Sequence, residues 1–159
     1  MLSVGVDLER IERFTFVQKQ RGESFYRKVF TPSEQAACLL NPLRLALWFT
    51  AKEAVAKALK TGLALGQPNA VCCTDIEIAC QYGIDDPQVT LRGKAIEEAR
   101  QRGMGAVLLR WYHNGSLACS LAGCVSNPYE ADELQCALAD SLARVATLMS
   151  RMAIKDRRK

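Results

Sequence analysis

Histidine is almost missing from the sequence, and its scarcity excludes several kinds of site. His113 is the only one in 159 residues, so a cluster of histidine metal ligands cannot form within one chain, and a Ser-His-Asp or Cys-His arrangement would need this residue. Long apolar runs are missing too: none reaches the ~18 residues of a membrane span, so we expect no membrane partner. The N-terminal segment has no basic start and soon reaches Asp7, which argues against a signal peptide and for a cytoplasmic protein.

The seven cysteines are an odd number, and no Cys-x-x-Cys motif occurs, so a disulfide framework is not expected. Cys72 and Cys73 are the only close pair, and neighbouring cysteines bridge poorly. The others lie in apolar stretches and are predicted to be buried, reduced thiols: Cys38, Cys80, Cys119, Cys124 and Cys136.

Apolar residues make up 49% and charged residues 24% of the chain, which is typical of a globular domain. The net charge is +4, and residues 1–60 carry ten Lys and Arg against six Asp and Glu. An excess of this size favours an anionic partner but is too small to indicate nucleic acid.

Capping and turn signals divide the chain into short elements. Apolar patterns and the Asn114-Gly115 hairpin signal predict strands over residues 2–8, 75–80, 88–91, 106–112 and 117–125. Helices are predicted over residues 10–21 (ended by Gly22), after the Thr31 cap, over 42–60 after the Asn41 cap, and over 93–102 and 129–153. We expect a loop over 63–74, one domain over 1–126, and a helical extension with a basic tail over 127–159.

The last predicted helix has one apolar face, and its end is basic. A membrane-surface helix has this pattern, but the apolar face lacks Trp and Phe, and the polar face is mixed in sign. Packing against its own fold or a second subunit is therefore favoured. The apolar face comprises Leu134, Leu138, Leu142, Val145, Leu148 or Met149, and Met152.

Two short segments carry residues suited to chemistry. Asp7 and Glu9 point to the same side of the first strand, where two carboxylates repel each other unless a cation lies between them; the alternative is a buried strand meeting solvent. Glu53 and Lys57 share a helix face, which is typical of an exposed ion pair. Glu53, however, lies among apolar residues, so it needs a partner or a metal.

Together the two segments resemble a known family. The Gly5-Val6-Asp7 motif is followed, 41 residues later, by F-T-A-K-E-A-V-A-K over residues 49–57 and then by Thr61-Gly62. This pattern resembles the 4′-phosphopantetheinyl transferases of the small holo-acyl-carrier-protein synthase type. The resemblance extends through V-F-T-P-S-E at 29–34 and covers roughly residues 2–125. It implies an α+β fold in which helices pack on a small antiparallel sheet.

The resemblance implies a reaction and a set of roles. A serine of an apo acyl carrier protein attacks the β-phosphate of coenzyme A, the phosphopantetheine arm moves to the serine, and 3′,5′-ADP leaves. Asp7 and Glu53 correspond to ligands of Mg²⁺, which binds hard oxygen atoms; Glu9 is either a third ligand or a solvent-facing residue. Lys57 corresponds to a phosphate-binding lysine, and Lys52 either orients the site or binds phosphate. The general base is Glu53 or a metal-bound water.

The sequence departs from the family pattern at several positions. Leu108 stands where a histidine implied in nucleotide binding is usual, and Arg110 where Ser or Thr is usual; Arg110 could contact phosphate instead. Trp48 replaces a common arginine, for which Arg44, one helical turn earlier, is a possible substitute. His113 is interpreted as a turn residue.

The resemblance also implies partners. The small synthases are trimers with the site between subunits, and a basic first helix would receive the acidic carrier through Arg10, Arg13, Lys19 and Arg21. Two alternatives remain: a carrier-binding module without catalysis, suggested by Leu108 and Trp48, and a Mg²⁺-dependent nucleotide hydrolase, disfavoured because the sequence has no P-loop.

Overall fold

The structure is a computed structural model that describes residues 2–64, 70–80 and 86–156. Parts of the predicted loop and of the basic tail, residues 65–69 and 157–159, lie outside the described residues. The strands are β1 Leu2–Arg10, β2 Ile76–Cys80, β3 Pro87–Leu91, β4 Ala106–His113 and β5 Leu117–Val125. The helices are α1 Ile11–Val29, α2 Pro32–Cys38, α3 Pro42–Ala58, α4 Gly93–Gln101 and α5 Ala131–Asp156. Within these residues, no helix is long and apolar enough to cross a membrane.

The fold is α+β, as predicted. β1, β5 and β4 form an antiparallel sheet in that order, and β2 pairs with β3 in a separate antiparallel ladder. The predicted β4–β5 hairpin is confirmed: the Asn114 carboxamide oxygen accepts hydrogen bonds from the N–H groups of Ser116 and Leu117. His113, expected in the turn, is instead the last residue of β4, where it pairs with Ala118.

Helix α3 is the centre of the core and lies across the inner face of β1 and β5. Asn41 caps it by accepting hydrogen bonds from the N–H groups of Leu43 and Arg44. Gly5 makes the contact with β1 possible, because a Cβ there would lie 2.0 Å from the Ala54 oxygen. The first strand therefore touches the backbone of α3 directly.

Gly22 ends the first helical segment of α1, as predicted, but the helix that follows it was not predicted. Gly22 bends the chain with φ 49° and ψ −144°, and a second helical segment follows to Val29. Its formation follows from burial: Tyr26 and Val29 enter the core, and Phe25 packs against it. Tertiary packing thus continues a helix that local glycine chemistry interrupts.

Helix α5 covers the outer face of β4 and β5. Leu134, Leu138 and Met149 are buried there, and the Asn114 amide donates a hydrogen bond to the Met149 carbonyl. Of the two alternatives, Met149 and not Leu148 faces the sheet. Met152, expected on the buried face, is 52% exposed because it lies near the far end of the helix.

Two further burial patterns concern Cys136 on α5 and the outer face of β1. Cys136 is exposed on α5, so the prediction that it is buried is wrong; its helical position falls between the buried Leu134 and Leu138 and turns outwards. On β1, one whole face remains uncovered, with apolar side chains that are 45–59% exposed: Leu2, Val4, Val6 and Leu8.

Candidate active site

Strand β1 presents its polar residues to α3. Ser3, Gly5 and Asp7 alternate towards the helix, because successive side chains of a strand point to opposite faces. The Lys57 ammonium donates a hydrogen bond to Asp7 Oδ1 at 2.6 Å and another to the Val6 carbonyl at 3.0 Å. Two residues that are 50 positions apart in the sequence are thereby joined in one ion pair.

Glu53 lies one turn before Lys57 and is half-buried. Its partial burial raises the pKa of the carboxyl above its ordinary value, and the negative charges of Asp7 and Glu9 raise it further, against the opposing charges of Lys57 and Arg13. Carboxylates from β1 and α3 therefore meet here at an electrostatic cost. Such a cost is relieved by a cation.

Asp7 also has an oxygen atom available for that cation. Its Oδ2 is buried and has no hydrogen-bond partner, although buried carboxylate oxygens normally find one. Asp7 and Glu53 therefore fit the hard-oxygen ligands that Mg²⁺ takes from a protein, which are commonly one or two carboxylates supplemented by substrate phosphates. Glu9 is paired with the Arg13 guanidinium, and no set of three His, Cys, Asp or Glu side chains in the described residues is arranged to hold a metal alone.

Lys52 points away from this cluster and is fully buried. Its ammonium lies 2.8 Å from Glu34 Oε2 and donates hydrogen bonds to the carbonyls of Cys73 and Ile76. Of the two roles considered for Lys52, this environment favours orienting the site over contacting phosphate.

The two arginines considered for coenzyme A binding are not brought to Asp7 and Glu53 within this chain. Arg44 precedes Glu53 by nine residues, about 13 Å along a helix, and donates a hydrogen bond to the Ala37 carbonyl at the end of α2. Arg110 pairs with Leu121, on the face of the sheet opposite to Asp7, and its guanidinium lies 4.0 Å from Asp86.

Trp48 and Leu108, two positions that depart from the family pattern, pack against other parts of the fold. Trp48 is buried, packs against Trp111 with ring centroids 4.9 Å apart and ring planes tilted by 42°, and donates a hydrogen bond from Nε1 to the Ile78 carbonyl. Leu108 packs in the cluster under α5. Both residues therefore contribute to packing.

Sequence reasoning missed a buried hydrogen bond behind Asp7. The hydroxyl groups of Thr50 and Ser120 lie 2.8 Å apart, and Ser120 is the strand partner of Asp7. No periodicity signals this pair, since it joins residues 70 positions apart. It fixes the middle of α3 to β5 directly beside the candidate site.

Comparison with known proteins identifies the family of the chain. A family model described as ACPS, 4′-phosphopantetheinyl transferase superfamily, matches residues 3–98. The chain belongs to this superfamily. The matched part includes β1 from Ser3 onwards and the whole of α3, and thus Asp7, Glu53 and Lys57.

Individual members of the superfamily are similar over most of their length. The holo-[acyl-carrier-protein] synthase of Desulforudis audaxviator is 34% identical over 125 residues, which cover 77% of this chain and 91% of that protein. The Helicobacter pylori synthase in complex with coenzyme A has a TM-score of 0.66 at 23% identity, covering 77% of this chain and 99% of that one. The Chronobacterium ammoniagenes ACPS–CoA complex has a TM-score of 0.62 at 28% identity, with 78% and 96% covered.

Proposed function

We propose that this superfamily member is a holo-acyl-carrier-protein synthase. It transfers the 4′-phosphopantetheine arm of coenzyme A to a serine of an apo acyl carrier protein and releases 3′,5′-ADP. The observation that carries the proposal is the cluster at the β1–α3 contact, where Lys57 holds Asp7 beside Glu53. The alternative of a carrier-binding module without catalysis has no such support, because the three residues that chemistry requires are assembled.

Each residue of the cluster has a role in phosphoryl transfer, which depends on positioning and charge neutralisation. Asp7 and Glu53 would hold Mg²⁺, and the ion, when bound, neutralises the charge of the pyrophosphate. Lys57 adds a positive charge on an exposed side chain, where a phosphate oxygen can compete with Asp7 for its ammonium. Glu9 and its partner Arg13 border the cluster.

The basic side of α1 is the proposed docking surface for the carrier. Arg10, Arg13 and Lys19 are exposed, and the Arg13 guanidinium lies 5.7 Å from the centre of the Phe49 ring. A cavity of about 210 Å³ adjoins it and is lined by Arg13, Gln20 and apolar side chains, among them Phe16 and Phe25. Positive charge beside a cavity with apolar side chains fits an acidic partner that also presents an apolar side chain.

The uncovered face of β1 supports the proposal of a homo-oligomer, a trimer by family resemblance. Alternating residues from Leu2 to Leu8 form a contiguous exposed apolar stripe, and such stripes mark interaction surfaces. A strand with apolar side chains on its outer face is stable when a second layer covers it. Helix α5 stops short of this strand and leaves the stripe to a second copy. We propose a cytoplasmic location, where carrier protein and coenzyme A are available.

The proposed function can be tested by following 3′,5′-ADP release from coenzyme A in the presence of an apo acyl carrier protein. We expect release that stops with a chelator, returns with Mg²⁺, and is lost in the Glu53→Gln variant, which removes a charged metal ligand. Glu12→Gln, an exposed acid on α1, is the matched control and should keep the wild-type rate. Carrier-dependent release that is insensitive to both Glu53→Gln and chelation would contradict the proposed site.

A further inference from the structure

Helix α3 is buried around most of its circumference, and its half-buried or exposed side is a narrow stripe that includes Phe49, Glu53 and Lys57. A helix that is apolar on most sides gains similar burial over a range of rotation angles, so burial alone sets its rotation only loosely. The side chains that face Asp7 must nevertheless be Glu53 and Lys57. The buried residues are Leu45, Ala46, Leu47, Trp48, Thr50, Ala51, Lys52, Ala54, Val55, Ala56 and Ala58.

Lys52 adds directional contacts to those that Trp48 makes with Ile78 and Thr50 makes with Ser120. Its side chain is 0% exposed, and its ammonium makes three contacts: with Glu34 Oε2 at 2.8 Å, with the Cys73 carbonyl at 2.8 Å, and with the Ile76 carbonyl. An ammonium group has three N–H donors, so all are used. Lys52 thereby ties α3 to the start of β2.

Glu34 completes the same network from α2. Its Oε2 accepts the N–H of Thr31 at 2.8 Å in a capping box, and its Oε1 accepts the N–H of Ile78 at 2.7 Å. One carboxylate therefore caps α2, holds β2 and neutralises Lys52. The network spans three elements on the side of α3 away from β1.

We propose that Glu34 and Lys52 form a positioning pair that sets the rotation of α3, so that Glu53 and Lys57 face Asp7. Consecutive residues of a helix point about 100° apart, so fixing Lys52 towards α2 and β2 directs Glu53 towards β1. The pair acts on the reaction through Glu53 and Lys57 and touches no substrate. This inference rests on the proposed function.

The energetics of buried ion pairs separate positioning from stability. Replacing both members by neutral side chains is often neutral or stabilising, whereas removing one member strands the other charge and is strongly destabilising. An ion pair whose only role is stability would therefore stabilise the fold little more than a pair of uncharged side chains. An ion pair that orients α3 is needed for transfer even when the protein with the uncharged pair folds.

The test is the double variant Glu34→Gln with Lys52→Met, compared with Lys94→Met with Glu97→Gln, the same chemical change at an exposed pair of α4. We expect the first variant to fold with a lowered unfolding midpoint, because the glutamine amide offers one acceptor oxygen for the N–H groups of Thr31 and Ile78 and methionine offers no donor to the Cys73 and Ile76 carbonyls. At a temperature where it is fully folded, we expect its kcat for transfer to fall at least tenfold. The control should keep the wild-type kcat. Transfer by the wild type in the same assay tests the proposed function by itself. A wild type that transfers, together with a double variant that transfers at the same rate, would count against the positioning pair and not against the proposed function.

Tryptophan fluorescence provides a readout that does not depend on activity. The chain has two tryptophans. Trp48 lies on α3 and packs against Trp111 of β4, so rotation of α3 changes their emission. We expect a shifted emission spectrum in the folded double variant and no shift in the control. Wild-type kcat or unshifted emission in a folded double variant would overturn the proposal. Failure of the double variant to fold would also overturn it, because the pair would then serve stability.

Discussion

Substitution of Gly5 by alanine perturbs the candidate site without touching any reacting group. The new Cβ would lie 2.0 Å from the Ala54 oxygen, 2.6 Å from the Ala58 nitrogen and 2.8 Å from Lys57 Cβ. Cβ atoms essentially never approach closer than 3.0 Å, so β1 and α3 must separate by about 1 Å to restore ordinary packing. Because two of these atoms belong to backbone, no side-chain rotation relieves the overlap.

The expected cost follows from the size of this overlap. Overpacking of a core costs typically 1–3 kcal/mol, and a backbone clash lies at the upper end, so we expect a loss of about 3 kcal/mol. In a chain of this length that loss lowers Tm by roughly 6 to 12 °C. The protein should remain folded, because domains are stable by about 5–15 kcal/mol. Separation by about 1 Å would also break the 2.6 Å contact between Lys57 and Asp7, so kcat/KM should fall at least tenfold in folded protein.

Gly123→Ala is the matched control for this experiment. Gly123 is also a strand glycine. A Cβ added there would lie 2.7 Å from the methyl carbons of Leu134 on α5, and a rotation of the Leu134 side chain can move these carbons away. We expect a loss of about 1 kcal/mol and unchanged transfer. Denaturant unfolding gives the two stabilities, and initial rates at 25 °C give the activities. Equal stability and wild-type activity in Gly5→Ala would refute the reasoning.

Two further predictions concern the carrier surface and the thiols. The double charge reversal Arg13→Glu with Arg21→Glu should raise KM for the carrier several-fold and weaken the salt dependence of that KM, because charges at the rim of an interface act mainly on the rate at which the two proteins meet. KM for coenzyme A should stay unchanged. An unchanged KM for the carrier would place the docking surface elsewhere. At pH 8, iodoacetamide should label the exposed Cys136 of the native protein and leave Cys38 and Cys124 unlabelled. Burial raises the pKa of the Cys38 thiol and of the Cys124 thiol to about 12, so both remain protonated and unreactive until the protein unfolds. Peptide mass spectrometry checks this order, and early labelling of Cys124 would contradict it.

Local signals in the sequence were sufficient for most of the secondary structure. The Thr31 and Asn41 caps, the Asn114-Gly115 hairpin and the strand alternation each depend on a few neighbouring residues, and the structure confirms them. The helical segment after Gly22 was missed because its stability comes from packing with the core. The burial of Met152 and of Cys136 was predicted wrongly, because periodicity defines the apolar face of a helix but not how far along the helix, or how far around it, the contact with the sheet extends.

The candidate site residues were named from the family motif that the sequence resembles, but their contacts could not be. The sequence places Asp7, Glu53 and Lys57 in the motif, while only the fold shows that Lys57 holds Asp7. Lys52 illustrates the limit: although it is next to Glu53 in the sequence, it points to a different side of α3 and pairs with Glu34, which is 18 positions away in the sequence. Pairings between distant elements are set by tertiary packing, which no local pattern encodes.

The intact mass of an apo acyl carrier protein, measured before and after incubation with this chain, coenzyme A and Mg²⁺, tests the central claim most directly. The account predicts a gain of one phosphopantetheine arm, which disappears when the acceptor serine of the carrier is replaced by alanine and when Glu53→Gln replaces the wild-type chain. An unchanged carrier mass with folded wild-type chain, in an assay where an established synthase modifies the same carrier, would contradict it.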